Sequence, residues 1–231
     1  PSVDVDVPAV YRNEQLSQEF QLLYESDRLH GLVGFYYLDA KAATSFDVLL
    51  GLVGSSVGFP GYNAYTAGDV RTKTWSVFGD FTFDFTDQLS LSVGGRYTND
   101  KRNAFVYKAT RLSGLSPEFG GTVPVFTSAI ATNFHGDRTF KEFTPRASLS
   151  FKPDDNNMIY ASYSKGFKGG GFDPRGSGTS APSSNPPAPA SYQDIYDFLG
   201  FDPEKVDSYE LGYKGSLLDR RLTLSLAGFY M

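Results

Sequence analysis

The stretch that decides the reading of this chain is residues 74–98, TWSVFGDFTFDFTDQLSLSVGGRYT. Trp75, Val77, Gly79, Phe81, Phe83 and Phe85 alternate with Thr74, Ser76, Phe78, Asp80, Thr82 and Asp84. A two-residue period sorts residues onto the two faces of a strand, which a helix cannot do. Asp87-Gln88 follows. Then Leu89, Leu91, Val93, Gly95 and Tyr97 alternate with Ser90, Ser92, Gly94, Arg96 and Thr98. Two alternating runs joined by so short a turn form a hairpin.

The same unit recurs on both sides. Phe143, Pro145, Ala147, Leu149 and Phe151 alternate with small polar residues and Arg146, and KPDDNN (152–157) turns the chain into Ile159, Ala161 and Tyr163. Tyr209, Leu211 and Tyr213 lead through Asp219-Arg220 to Leu222, Leu224 and Leu226. Upstream, Leu16, Phe20, Leu22 and Tyr24 turn at Ser26-Asp27 and return through residues 29–39, a strand apolar on both sides. The expectation is four hairpins at 14–39, 73–98, 142–165 and 204–231. Long connections fill 40–72, 99–141 and 166–202, the last with a Gly169–171 run and the low-complexity GSGTSAPSSNPPAPA at 176–190, which reads as mobile. The glycine run is expected to let the chain leave the sheet with positive φ.

Connections alternate strictly between short and long. Outer-membrane barrels sort their loops this way, with short periplasmic turns, long extracellular loops, a polar interior face and an apolar outer one. Strand lengths suit a tilted bilayer crossing of about 9–11 residues. Aromatics such as Tyr24, Tyr97, Phe151 and Tyr230 suit interfacial girdles. A soluble barrel or sandwich would instead turn the apolar face inward, and alternation alone does not choose between them.

Composition narrows the field. The chain has 231 residues, net charge −5, no cysteine, and 15 Tyr with 20 Phe. Zero cysteine removes disulfide frameworks, Cys-ligated zinc and thiol nucleophiles. A mildly acidic chain is a poor match for nucleic acid. The longest apolar run, 48–53, is far short of the roughly 20 residues a membrane helix needs. The first ten residues lack the basic start and apolar core of a secretory signal, so the chain reads as a mature or internal piece.

Several segments are more specific. Gly94 to Tyr97 reads GGRY, Thr144 to Arg146 reads TPR, residues 160–172 read YASYSKGFKGGGF, and residues 203–212 read PEKVDSYELG. SQEFQL at 17–22 joins them. In this order they resemble the β-barrel of TonB-dependent outer-membrane receptors. The resemblance implies an all-β fold: an antiparallel meander of about eight strands forming part of a transmembrane β-barrel. Family barrels have about 22 strands around a plugged lumen, so this chain resembles an internal third. An open curved sheet with two free edges is expected. The resemblance also implies a role in active transport of a scarce nutrient, a ferric siderophore being the commonest class, with energy from TonB at the outer membrane of a Gram-negative bacterium. Partners implied are outer-membrane lipid, the receptor's own plug domain, TonB and the small-molecule ligand.

Chemistry is sparse. His30 sits in a strand, and His135 lies in an expected loop beside Asp137 and Arg138. Neither has the partners of a general base or a ligand set. SYSK at 162–165 matches S-x-x-K, but on a strand rather than opening a helix. No catalytic residue, cofactor or metal is expected, and the chain is read as no enzyme. Glu19, Asp80, Arg96, Arg146, Glu210 and Lys214 fall on the polar face, as a lumen wall or a plug-docking surface. Tyr62 and Tyr65, in FPGYNAY (59–65), with Phe167 and Phe172, are candidate substrate contacts in the loops, because rigid aromatics supply contact area at low entropic cost. Two rival readings stay open: a small outer-membrane barrel acting as enzyme or adhesin, and a soluble secreted β-sandwich that binds ligand.

Overall fold

The computed structural model describes residues 5–50, 56, 58, 61–112, 117–120 and 126–231. Its strands are β1 (Val5–Asp6), β2 (Ala9–Glu25), β3 (Leu29–Leu50), β4 (Asn63–Asp84), β5 (Leu89–Leu112), β6 (Phe126–Asp154), β7 (Asn157–Lys168), β8 (Gly171–Phe172), β9 (Gly200–Phe201), β10 (Glu204–Leu217) and β11 (Leu222–Tyr230). All but β8 and β9 form one antiparallel sheet. β1 and β2 share one edge of β3, and β11 is the other end. The sheet is open, with two edges. β1 and β2 are one strand interrupted at Pro8, which has no N–H for the ladder. Its carbonyl still accepts the Asp47 N–H at 3.1 Å.

The short turns fall where alternation placed them. At the first, Ser26 Oγ accepts the Leu29 N–H at 3.2 Å. At the second, Thr86 Oγ1 accepts the N–H groups of Gln88 and Leu89. At the third, Asp154 Oδ1 accepts the Asn156 N–H and an Asn157 amide proton, each at 2.8 Å. The fourth runs through three left-handed residues, Leu218, Asp219 and Arg220.

The strands are much longer than expected. Residues 40–50, 63–72, 99–112 and 126–141, read above as loops, continue the ladders of β3 to β6. His135 is accordingly a strand residue. Tyr97, expected at a strand end, lies inside β5. The reason is that these extensions are polar or mixed on both faces, so hydrophobic alternation vanishes while hydrogen-bond pairing goes on.

The sheet's two faces divide sharply. One carries Val33, Phe35, Val77, Phe83, Val93, Leu149, Ile159 and Leu211, all 40–64% exposed. The other carries Ser76, Thr98 and Asp100, which are 0–5% exposed. Polar groups are covered and large hydrocarbon side chains bare, the reverse of a soluble core. The apolar face ends in an aromatic row: Tyr37 opposite Trp75, Tyr97 opposite Phe143, and Tyr163 opposite Tyr209. Neighbours in the row touch, Trp75–Tyr97 at 5.7 Å and Tyr163–Tyr209 at 5.1 Å between ring centres. One step further out, on the same face, stand Asp39, Lys73, Lys141, Lys165 and Asp207.

Candidate functional site

Two levels of the polar face carry the candidate site. The lower level is a web of lateral contacts. Asp80 pairs with Arg146 across β5. Arg96 Nη2 donates to Ser76 Oγ at 2.6 Å, and its guanidinium lies 5.1 Å from the Tyr36 ring centre and 5.4 Å from that of Phe78. Thr82 and Ser92 hydroxyls meet at 2.7 Å. Glu210 accepts from Tyr160, whose ring also receives the Lys214 ammonium at 5.4 Å. Glu19 accepts from Gln21. All six charged residues predicted for this face therefore stand on it. Five are engaged with groups on other strands, Asp80 and Arg146 reaching over β5 and the rest meeting a neighbouring strand, and Glu19 is engaged with its own strand. His30 joins them opposite Thr82, its Nδ1 3.7 Å from Asp84. A groove of about 450 Å³ runs past His30, Asp80, Arg96 and Arg146.

The upper level was not foreseen. β6 outreaches β7: their pairing ends at Arg146 opposite Ser164. That leaves backbone carbonyls on the β6 edge without a strand partner, and buried or half-buried carbonyls need one. Helix α1 (Tyr192–Leu199) supplies it. Tyr192 donates to the His135 carbonyl at 2.9 Å and Tyr196 to that of Asp137 at 3.0 Å. Beneath the helix, Ala104, Val106, Phe134, Phe172 and Leu199 form a buried cluster. Arg138 lies against the rings of Phe172 and Tyr196 and pairs with Asp202 at 3.1 Å. His135 stacks on Phe105 at 4.5 Å.

The connection between β7 and β10 is thus fastened, where its composition suggested mobility. Thr132 Oγ1 accepts the Gly178 N–H at 2.7 Å and donates to the Gly176 carbonyl at 3.0 Å, and Ala181 is buried. Nor do Gly169, Gly170 and Gly171 take positive φ. They are needed for close approach. A Cβ on Gly169 would stand 2.6 Å from Asp100 Oδ2, and one on Gly170 2.4 Å from the Phe201 carbonyl oxygen. The sequence did carry a signal for α1. Ser191 and Asp194 make the S-x-x-D form of a capping box, and Tyr192 and Tyr196 share a face at i, i+4.

The four predicted substrate contacts are not brought together. Phe172 is 4% exposed, under Phe134 and Tyr196. Tyr65 and Phe167 lie on the face that carries Trp75 and Tyr163. Tyr65 donates to Glu118 at 2.9 Å, with the Arg111 guanidinium 3.6 Å from its ring centre. Tyr62 immediately precedes the upper end of β4, its carbonyl accepting from the Leu50 N–H. Phe59 and Pro60 of the same motif lie outside the described residues.

The capping box has a pH signature. The backbone N–H of Ser191 donates to Asp194 Oδ2 at 2.8 Å, and its hydroxyl does the same. Those bonds, with the side-chain and backbone bonds from Ser184, hold the Asp194 carboxyl down at about 2, against an ordinary 3.8. A depressed carboxyl stabilises the fold above its unfolded pKa and loses that contribution as pH falls through the folded value. Hydrogen-exchange protection of α1, corrected for intrinsic rate, is therefore expected to hold above pH 4 and fall toward pH 2. In Asp194→Asn this step disappears. Unchanged protection across the window in the natural protein contradicts the cap.

Residues 5–231 match the family model of the TonB-dependent receptor-like β-barrel. The chain belongs to the TonB-dependent receptor β-barrel family. Members of this family are transport receptors rather than enzymes. Solved structures agree on the fold. The ferric yersiniabactin uptake receptor FyuA from Yersinia pestis matches 99% of this chain at a TM-score of 0.68 and 18% identity. The siderophore receptor PiuA from Acinetobacter baumannii matches 96% at 0.58 and 17%. The alcaligin outer-membrane receptor FauA from Bordetella pertussis matches 98% at 0.52 and 19%. This chain covers 30%, 32% and 30% of those receptors, in that order. It spans about a third of their length.

Proposed function

We propose that this chain is a section of wall and mouth in an outer-membrane receptor that takes up a scarce nutrient, a ferric siderophore, with energy passed on by TonB. The observation that carries the reading is the aromatic row. Below it the outward face is hydrocarbon, and above it the same face is charged. A bilayer boundary produces that change, because charges are costly in the hydrocarbon and Trp and Tyr settle at its edge. The apolar face then meets outer-membrane lipid, and the polar face meets the lumen and the receptor's own plug domain. The extensions above the row, with α1, stand at the extracellular mouth.

In this reading the wall does no covalent chemistry. Asp80, Arg96, Arg146, Glu210 and Lys214, with Glu19 at the edge, offer the plug donors and acceptors already half satisfied by one another. Such contacts can be exchanged for plug contacts at small net cost, since a typical hydrogen bond contributes only about 0.5–1.5 kcal/mol net. Among aromatic groups at the mouth, Tyr192 and Phe198 are the exposed rings of α1 and the better ligand contacts. Tyr62, Tyr65 and Phe167 remain secondary candidates, while Phe172 anchors the loop.

The test is uptake of ⁵⁵Fe-labelled siderophores by cells whose only such receptor is the full-length protein. Accumulation is expected for one siderophore class and is expected to vanish when the TonB gene is deleted. Arg146→Glu sets two carboxylates against each other at the Asp80 site. It is expected to reduce uptake several-fold while the receptor stays folded, and Asp80→Arg in the same chain is expected to restore it. Iron uptake that ignores TonB, or no uptake of any ferric siderophore, overturns the reading.

A further inference from the structure

High on the outward face, two alanines stand among larger side chains. Ala43 is opposite Arg12 and Asp69, and Ala67 is opposite Ser45 and Tyr107. Their small size leaves a cleft of about 180 Å³, with Phe105 on the β5 side, Arg12 on the β2 side and Tyr65 above. Glu118, from the helical turn Pro117–Phe119, adds a carboxylate beside Tyr65. These walls are held by their neighbours. Phe105 stacks on His135 at 4.5 Å between ring centres, and the Arg111 guanidinium lies 3.6 Å from the Tyr65 ring centre. Glu118 accepts from the Ser45 hydroxyl at 2.6 Å and from the Tyr65 hydroxyl at 2.9 Å, one bond to each carboxylate oxygen. A carboxylate offers about four acceptor positions, so each oxygen keeps one for another donor.

We infer that this cleft binds a neutral pyranose sugar, its C–H face against an aromatic wall and its hydroxyls on Arg12 and Glu118. The inference goes beyond the transport reading and takes from it only that this face is the outward one. Size selects a single ring, because pockets for drug-sized molecules measure roughly 300–1,000 Å³. Aromatic ring faces are electron-rich, and the weakly positive C–H bonds on one side of a pyranose pack against them. Arg12 supplies donors and Glu118 acceptors, and hydrogen bonds to ionised groups are the stronger kind. Charge excludes an anion, since Arg12 is outnumbered by two acids, Asp69 and Glu118, in the lining. Rings fixed in advance by stacking lower the entropic cost of binding. Phe105 lies eight residues beyond Tyr97 on β5, about 26 Å along the strand, or some 19 Å above the aromatic row at a tilt of about 45°. The cleft is therefore clear of the lipid and on the far side of the wall from the lumen.

The experiment uses the full-length receptor in detergent, with saturation-transfer NMR as the readout. The probes are the methyl glycosides of glucose, galactose, mannose and N-acetylglucosamine, with methyl glucuronide and ethanolamine as charged comparisons. At least one neutral glycoside is expected to bind with a Kd near about 1 mM, the scale for a ligand of roughly a dozen non-hydrogen atoms. The glucuronide is expected to bind several-fold more weakly. Ala67→Leu fills the floor without touching a polar group and is expected to weaken binding about tenfold or more. Phe105→Ala is expected to abolish it, and Phe105→Tyr, which keeps the ring, to retain it. Heat-modifiable gel mobility shows whether each variant is folded. Two longer probes separate the sources of such a ring: polysaccharide released from the host cell's own surface, and neutral oligosaccharides supplied from outside. Tighter binding of either one names the source and supports the inference. Absence of neutral glycoside binding, binding undiminished in Ala67→Leu and Phe105→Ala, or a preference for the glucuronide or ethanolamine each overturns it. Iron uptake separates the two readings. Ala67→Leu is expected to import ferric siderophore like the natural protein, and loss of import there places the cleft on the transport path and overturns its separate role. A natural protein that binds the sugar but imports no siderophore refutes the transport reading alone.

Discussion

Replacing Val93 with arginine is expected to lower the unfolding free energy of the receptor in a lipid bilayer by about 2–4 kcal/mol. Val93 is 52% exposed on β5, opposite Phe81 and Ala147. It lies midway along the apolar face, between Leu89 at the turn and Tyr97 in the aromatic row. An arginine there must either carry its charge into hydrocarbon or bend several ångströms toward an interface. Ser148 is opposite Ser92 on the polar face at similar depth, and Ser148→Arg is expected to cost a small fraction of that amount. The contrast between the two variants, measured by urea unfolding in vesicles, assigns the faces. Equal costs at both positions contradict an outward apolar face.

Phe134→Ala is expected to release the helical connection from the wall. Phe134 is 2% exposed and meets Phe172, Tyr192 and Tyr196 with ring centres 5.2–6.3 Å away. Truncating a buried phenylalanine costs about 3–5 kcal/mol. Besides this ring cluster, α1 is held by two tyrosine hydroxyls, the Asp173 N–H donating to the Leu199 carbonyl, the packing of Ile195 and Leu199, and, through its flanking residues, the Thr132 bonds and the Arg138–Asp202 pair. The cost therefore falls on local rather than global unfolding. Protease cutting within 176–190 is expected to rise by two orders of magnitude or more, since 1.4 kcal/mol is about tenfold in an equilibrium, while the sheet stays folded. Cutting unchanged from the natural protein shows that the cluster does not hold the loop.

The lower half of the sheet was legible because one face is apolar there and the period is two. Residues 74–98 gave both strands, their turn and the face of every side chain. Asp80, Arg96, Arg146, Glu210 and Lys214 could be assigned to one face by counting parity. Their pairings could not, because Asp80 meets Arg146 through the registers of three strands, and register leaves no trace in one chain's local pattern. The upper half was illegible for a different reason. Residues such as Lys73, Asn99 and Lys141 replace hydrocarbon on that face, so alternation stops at the aromatic row and the ladder does not. The helix escaped notice because it is eight residues long and follows a stretch rich in Ser, Pro and Ala. Its capping box and tyrosine pair are weak signals until β6 is known to lack a strand partner above Arg146.

If the chain is the receptor wall proposed above, the height of its paired strands has a consequence for capture. From Tyr97 to Leu112, β5 rises about 50 Å along its own axis at roughly 3.3 Å per residue, or some 35 Å above the boundary when tilted by about 45°. Backbone that would otherwise be loose is already fixed by neighbouring strands before any ligand arrives. Ordering a free residue costs about 1–2 kcal/mol, so a mouth built this way spares an incoming molecule much of that expense. On the proposed reading, what arrives meets a standing collar, closed on one side by the helix and its tyrosines, and selection by shape begins well outside the lipid.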